Sequence, residues 1–134
     1  MYYILNIFNY NQPFQLESGK TLPGFHLAYT TFGELNVEKD NAVWVFHSST
    51  AKSNSAEWWT GLIGNEKLFN ADEHFIICVN MPGSCYGSIS PLDNEYFYHD
   101  FPFFTIKDMV AVYQKLKAYL NIDKIHIGIG GSMG

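Results

Sequence analysis

Residues Lys124 to Gly134 limit the possible folds more than any other stretch of this chain. They read Lys-Ile-His-Ile-Gly-Ile-Gly-Gly-Ser-Met-Gly. Ile125, Ile127 and Ile129 are β-branched and flanked by turn residues, which predicts a short buried strand. The strand runs into Gly130-Gly131-Ser132-Met133-Gly134, a Gly-x-Ser-x-Gly pattern. In that pattern a serine stands on a tight strand-to-helix turn with its hydroxyl lifted above the sheet. Glycines flank it because the turn crowds the backbone and a Cβ would clash. The Met133 backbone N–H is then aimed at an oxygen that becomes an oxyanion. On the motif alone two readings stand: Ser132 is a nucleophile, or this is a glycine-rich turn with an incidental serine.

Composition decides what kind of chain carries this motif. Among 134 residues, 47% are hydrophobic and 17% aromatic, which is a folding composition and not a disordered one. The length suits one domain or part of one. Eight Lys and Arg against 13 Asp and Glu give a net charge of −5 with no basic stripe. Nucleic acid and anionic membrane surfaces are therefore not expected partners. No apolar run approaches the length of a membrane span. Met1-Tyr2-Tyr3-Ile4-Leu5-Asn6 lacks the basic segment and apolar core of a signal peptide, so a cytoplasmic location is expected. Cys78 and Cys85 do not make a disulfide framework. The five histidines do not fall at zinc-ligand spacing with them, and no metal or cofactor is expected.

The remaining elements are read from periodicity. Phe14-Gln15-Leu16-Glu17 alternates, Ser18-Gly19-Lys20 signals a turn, and Gly24 to Thr31 alternates again, which predicts an antiparallel hairpin. Ala42-Val43-Trp44-Val45-Phe46 and Phe75-Ile76-Ile77-Cys78-Val79 are continuous apolar runs, as expected of strands buried on both faces. Pro82 to Pro91 reads as loop, followed by an irregular segment through Pro102. Ile106, Met109, Val110, Tyr113, Leu116 and Leu120 recur at helical spacing. Thr105 and Asp108 resemble a capping box with Asp for the usual Glu, and Asn121 suits the helix stop. Buried strands separated by crossovers imply a parallel sheet with helices on its faces.

Three loops leave the ends of the three buried strands: His47 to Ser55, Asn80 to Pro91, and Gly130 to Gly134. Ligands bind at that end of an open parallel sheet. His47 tempts as a base, but it lies at a buried strand end and before the serine, and it is read as structural. Cys85 is read as a small buried thiol with no base placed to activate it. Trp58 and Trp59 are read as core cover. Asp93, Glu95, His99 and Asp100 are read as a solvated loop.

These loops carry a resemblance. The segments His47-Ser48-Ser49-Thr50, Ala56-Glu57-Trp58-Trp59, Phe75 to Asn80, Gly83-Ser84-Cys85-Tyr86-Gly87-Ser88 with Pro91, Asp100-Phe101-Pro102 with Thr105 to Met109, and Gly130 to Gly134 resemble the homoserine O-acetyltransferases of the MetX type. The Asn-x-x-Gly-x-Cys-x-Gly-Ser segment is far more specific than Gly-x-Ser-x-Gly. The resemblance implies an α/β fold, the N-terminal part of a single α/β-hydrolase domain over residues 1–134, ending at the nucleophile turn. It implies Ser132 as the acyl-accepting nucleophile, with the backbone N–H groups of Met133 and Ser49 as oxyanion donors. Ser48, Thr50, Cys85 and Tyr86 would border the substrate pocket.

The implied substrates are acetyl-CoA, as co-substrate, and L-homoserine, with a homodimer expected of the full-length protein. In this fold the catalytic Asp and His follow the serine, so this stretch alone is expected to be inactive and poorly soluble. Two departures leave the acyl donor and acceptor open. The family's His-Ala-Leu-Thr-Gly is here His47-Ser48-Ser49-Thr50-Ala51, and Thr-Gly-Pro after the second loop is here Ile89-Ser90-Pro91. A serine esterase, a succinyl-CoA-dependent transferase, a transferase to serine, and a non-catalytic fragment are the alternatives.

Overall fold

Strands β5 (Ala42–Phe46) and β6 (Phe75–Val79) are apolar along their whole length because each is covered on both faces. In the computed structural model, which describes residues 3–134, Trp44, Ile77 and Val79 face one hydrophobic core. Val43, Val45, Ile76 and Cys78 face a second. Met1 and Tyr2, part of the N-terminal stretch read for a signal peptide, lie outside the described residues. The strands pair in parallel, Val43 opposite Ile76 and Val45 opposite Cys78.

The five-stranded sheet has the order β1-β4-β6-β5-β7, where β1 is Ile4–Tyr10, β4 is Phe25–Phe32 and β7 is Ile125–Gly130. β4 joins β6 antiparallel and β5 joins β7 parallel, so the sheet is mixed, with parallel strands at the end that carries the Gly-x-Ser-x-Gly turn. The expected hairpin is only partly present. Phe14–Gln15 (β2) pairs with Thr21–Leu22 (β3) around the Ser18-Gly19-Lys20 turn. The longer strand, β4, pairs instead with β1, placing Phe8 opposite Leu27. The turn signal is local, whereas a largely buried strand such as β4 needs a long partner on each side, and β2 has only two residues.

Two short helices fall where no helix was expected: α1 (Ser55–Trp58) and α2 (Phe97–Asp100). Trp58 and Trp59 stack at 5.2 Å and pack, half-buried, on the second core, in keeping with their reading as core cover. The acidic stretch is less free than a solvated loop. The Asp93 carboxylate accepts the Ser90 N–H at 2.7 Å, and Asp100 pairs with Lys20 at 2.8 Å. Glu95 and His99 are exposed.

Helix α3 (Ile106–Tyr119) is the main covering helix. Its capping box is complete. The Thr105 hydroxyl accepts the Asp108 N–H, and the Asp108 carboxylate accepts the Thr105 N–H at 3.0 Å. The second Asp108 oxygen takes the Glu17 N–H at 3.0 Å, tying the helix start to the β2–β3 hairpin. The helix ends on Asn121 in the left-handed region, with φ 59°. There the Asn121 N–H reaches the Ala118 carbonyl and the Ile122 N–H reaches Lys117, a Schellman end. The buried stripe is rotated from the expected one. Val112, Tyr113 and Leu116 are buried, whereas Ile106 and Val110 are exposed. The bonds of Asp108 to Glu17 and Thr105 turn that side of the helix inward.

β7 departs from a buried strand. It lies at the sheet edge, paired with β5 alone among the described residues, and Ile127 is 36% exposed. Its isoleucines do not share a face. Ala42 pairs with Ile125 but Val43 pairs with Ile127, so the ladder skips His126. Ile125 therefore packs on the first core and Ile129 on the second. One extra residue in a strand reverses every later side chain.

Candidate active site at the parallel strand ends

Ser132 has φ 59°, a left-handed conformation that costs a non-glycine residue about 1–3 kcal/mol. Its surroundings hold it there. A Cβ on Gly130 would lie 2.3 Å from the Gly134 carbonyl carbon, and a Cβ on Gly134 would lie 2.1 Å from the Phe46 carbonyl oxygen. Both glycines are required by backbone packing. Gly131 has open space around its Cα hydrogens. The turn closes with the Gly134 N–H donated to the Gly131 carbonyl at 3.0 Å. Ser132 and Met133 stand exposed.

The Ser132 turn sits directly against the first loop. Phe46 pairs with Gly130, and the space a Gly134 Cβ would need is filled by the carbonyls of Phe46 and His47. β5 lies between β6 and β7, so the loop after it neighbours both other loops. The first loop is a tight turn in which Ser48 C=O accepts the Ala51 N–H at 3.1 Å. Ser48 is half-buried and Ser49 and Thr50 are exposed. Among the described residues neither the Ser49 nor the Met133 N–H is donated to a protein acceptor.

His47 is 1% exposed and both ring nitrogens are engaged. Nε2 accepts the Met81 N–H at 3.0 Å, and Nδ1 lies 2.7 Å from the Ser48 carbonyl oxygen. The backbone N–H can only donate and the carbonyl can only accept. The ring is thus the neutral tautomer with the proton on Nδ1. A ring committed on both sides has no free nitrogen to serve as base for Ser132, in keeping with the structural reading.

Asn80 ends β6 and is 1% exposed. Its Oδ1 accepts the Ser53 N–H at 2.8 Å, and its Nδ2 donates to Ser53 Oγ and the Tyr86 carbonyl, each at 3.0 Å. Ser53 Oγ lies 2.8 Å from Thr30 Oγ1, and the Ser88 hydroxyl donates to the Asn80 carbonyl. This network joins the far end of the first loop to the second loop. It escaped the reading of the sequence. The signal for it was present: a polar side chain closing an all-apolar buried strand must be hydrogen-bonded.

The second loop corrects one expectation. Cys85 is exposed, as is Tyr86, and the buried thiol is Cys78. Asn80 draws the Tyr86 carbonyl inward, and the Cys85 and Tyr86 side chains face out. Burial pushes the Cys78 thiol up to about 12, opposed by a backbone hydrogen bond at His47. An apolar cavity of about 450 Å³ opens between α3 and β7, bordered by Phe46, Met109, Tyr113, Gly130 and Met133. Of the site residues expected from sequence, Met133 alone borders it. Ser132, Ser48, Ser49 and Thr50 are gathered by adjacent loops at the strand ends, with Cys85 and Tyr86 on the loop after β6.

Comparison with known proteins places this arrangement. Residues 41–134 match the family model of the alpha/beta hydrolase fold. The chain belongs to the α/β-hydrolase fold family. Within it, this α/β-hydrolase chain is 45% identical over 133 residues to a homoserine O-acetyltransferase of Cyclobacterium marinum, a match covering 96% of the chain and 38% of that relative. Among solved structures it is similar to esterase E22, with a TM-score of 0.87 at 27% identity, covering 99% of this chain and 42% of that one. It is also similar to homoserine O-acetyltransferase from Staphylococcus aureus, with a TM-score of 0.81 at 27% identity, covering 99% and 40%. The chain thus spans less than half the length of these relatives. No helix among the described residues is long and apolar enough to cross a membrane.

Proposed function

We propose that this chain is the nucleophile-bearing, N-terminal part of a single-domain homoserine O-acetyltransferase. The observation that carries the reading is the 45% identity to such an enzyme over 96% of the chain. The strained serine beside a loop with a free backbone donor supports it. In this reading Ser132 Oγ attacks the thioester carbonyl of acetyl-CoA. The developing oxyanion is met by the Ser49 and Met133 N–H groups, the C–S bond breaks, and CoA leaves as its thiol. The L-homoserine hydroxyl then attacks the acetyl-serine ester and restores Ser132. The proton carrier is assigned to no residue of this chain, since the base follows the nucleophile in this fold. Ser48, Thr50, Cys85 and Tyr86 are proposed to border the pocket, and a cytoplasmic homodimer belongs to the same proposal.

The test is product analysis on the intact protein supplied with acetyl-CoA and L-homoserine. O-acetylhomoserine formed by the wild type and lost in Ser132→Ala is the expected result. Free acetate as sole product would move the assignment to an esterase. That second reading is favoured by the likeness to esterase E22 and by Ser48-Ser49 in the first loop. O-succinylhomoserine from succinyl-CoA, or O-acetylserine from serine, would change the substrate and keep the chemistry.

A further inference from the structure

We propose that His47 is a positioning residue that fixes which way the Ser48–Ser49 peptide faces, and so sets the oxyanion donor. This rests on the reading of Ser132 as an acyl-accepting nucleophile. A trans peptide holds its C=O and the following N–H in one plane, pointing in opposite directions, and no peptide bond in the described chain is cis. The Ser48 carbonyl receives two donors, the His47 Nδ1–H at 2.7 Å and the Ala51 N–H at 3.1 Å. With that oxygen held, the Ser49 N–H must point the other way, and it meets no acceptor in the described chain.

Rotating the peptide would remove both bonds from the Ser48 oxygen and turn a carbonyl to where the N–H had pointed. The Ala51 bond alone is one that β-turns commonly provide. The histidine adds a second donor and, through Nε2 on the Met81 N–H, is itself held by the loop after β6. The proton on Nδ1 is therefore the essential feature. On the other tautomer, Nδ1 would face the Ser48 oxygen lone pair to lone pair, and Nε2–H would face the Met81 N–H.

The test uses the intact protein and reads the burst of p-nitrophenol released as p-nitrophenyl acetate acylates the serine. That burst requires a serine nucleophile but not homoserine, so it separates this proposal from the transferase assignment. Asn places its amide nitrogen where Nδ1 stands, and Gln places an acceptor oxygen where Nε2 stands. His47→Gln is expected to lower the acylation rate constant by about 10²–10³, the loss typical of one oxyanion donor, with KM changed little. His47→Asn is expected to recover at least about tenfold of that loss.

A folded His47→Gln protein with the wild-type rate would overturn the proposal. So would Asn and Gln variants that lose rate equally and in step with Tm. If His47→Gln does not fold, two-bond ¹H–¹⁵N correlation on the wild-type protein decides. A proton on Nδ1 is expected, and a proton on Nε2 overturns the lock. Wild-type burst kinetics without O-acetylhomoserine would remove the proposed function and leave this proposal standing. A burst that persists in Ser132→Ala would remove both.

Discussion

Replacing Gly130 with Ala should cripple acylation at Ser132 without unfolding the protein. The added Cβ would lie 2.3 Å from the Gly134 carbonyl carbon, 2.8 Å from its oxygen and 3.1 Å from its Cα. Ordinary contact begins at 3.4 Å, so the closest approach must open by 3.4 − 2.3 = 1.1 Å. Gly134 cannot supply that movement by retreating toward β5, because the Phe46 carbonyl already fills the space beside it. The displacement falls on residues 131 to 133, which carry the proposed nucleophile and one proposed donor. Misplacing a reacting group by about 1 Å costs on the order of 10² in rate, or about 2.7 kcal/mol of transition-state stabilisation. The assay is the p-nitrophenol burst on the intact protein, with Tm measured on the same samples. Gly131→Ala is the control, since nothing lies within 4 Å of its Cβ position. A Gly130→Ala protein that acylates at the wild-type rate would show that the turn tolerates the extra carbon, and equal losses in the two variants would show that crowding at Gly130 is not the cause.

Other outcomes follow from the same geometry. Ser49→Pro removes the N–H along with an exposed hydroxyl, at the turn position where proline is favoured, and should lower the acylation rate constant by about 10²–10³ while the fold persists; retention of rate would exclude Ser49 as a donor. Ser132→Gly relieves the left-handed strain that Ser132→Ala keeps, so chemical denaturation should find the Gly variant more stable than the Ala variant by about 1 kcal/mol, with neither showing a burst. In the native protein Cys85 should react with a thiol reagent at pH 8 and Cys78 should not, unfolding making Cys78 reactive, as peptide mapping of the labelled sites would show. Cys78 also ties stability to alkali. Its thiol ionises at about 9 when unfolded and at about 12 when folded, so its contribution is complete below pH 9 and is lost as pH rises from 9 toward 12. The slope is up to about 1.4 kcal/mol per pH unit; Cys78→Ala should flatten it, and an unchanged slope would show that other groups set it.

What was legible in the sequence was what local chemistry dictates. β5 and β6 are uniformly apolar because both of their faces are covered, and few other environments produce that pattern in so short a run. The start and stop of α3 were written in Thr105, Asp108 and Asn121, each acting within a turn of backbone. The Ser132 turn was legible for the same reason, since Gly130 and Gly134 answer to close backbone approaches. The partner of β4 was not legible, because pairing across the chain is chosen by length and burial and not by the nearest turn. The split of Ile125 from Ile127 and Ile129 hung on one skipped residue that leaves no mark on an alternating pattern. At the site, the type and place of His47 were plain, but its protonated nitrogen depends on Met81, thirty-four residues away in the chain.

The loop after β5 is held at its two ends and free in its middle. His47 anchors its start on Met81, and Asn80 anchors its end through Ser53. The side chains of Ser49 and Thr50 between these anchors touch solvent. What the anchors hold in place is backbone, and what the middle presents is side chain. A lineage, or an engineer, can therefore rewrite the exposed side chains at residues 49 and 50 while the backbone amide proposed as a donor stays where it was. Changes at His47, Ser53 or Asn80 have no such freedom, because each would shift the main chain that the anchors hold.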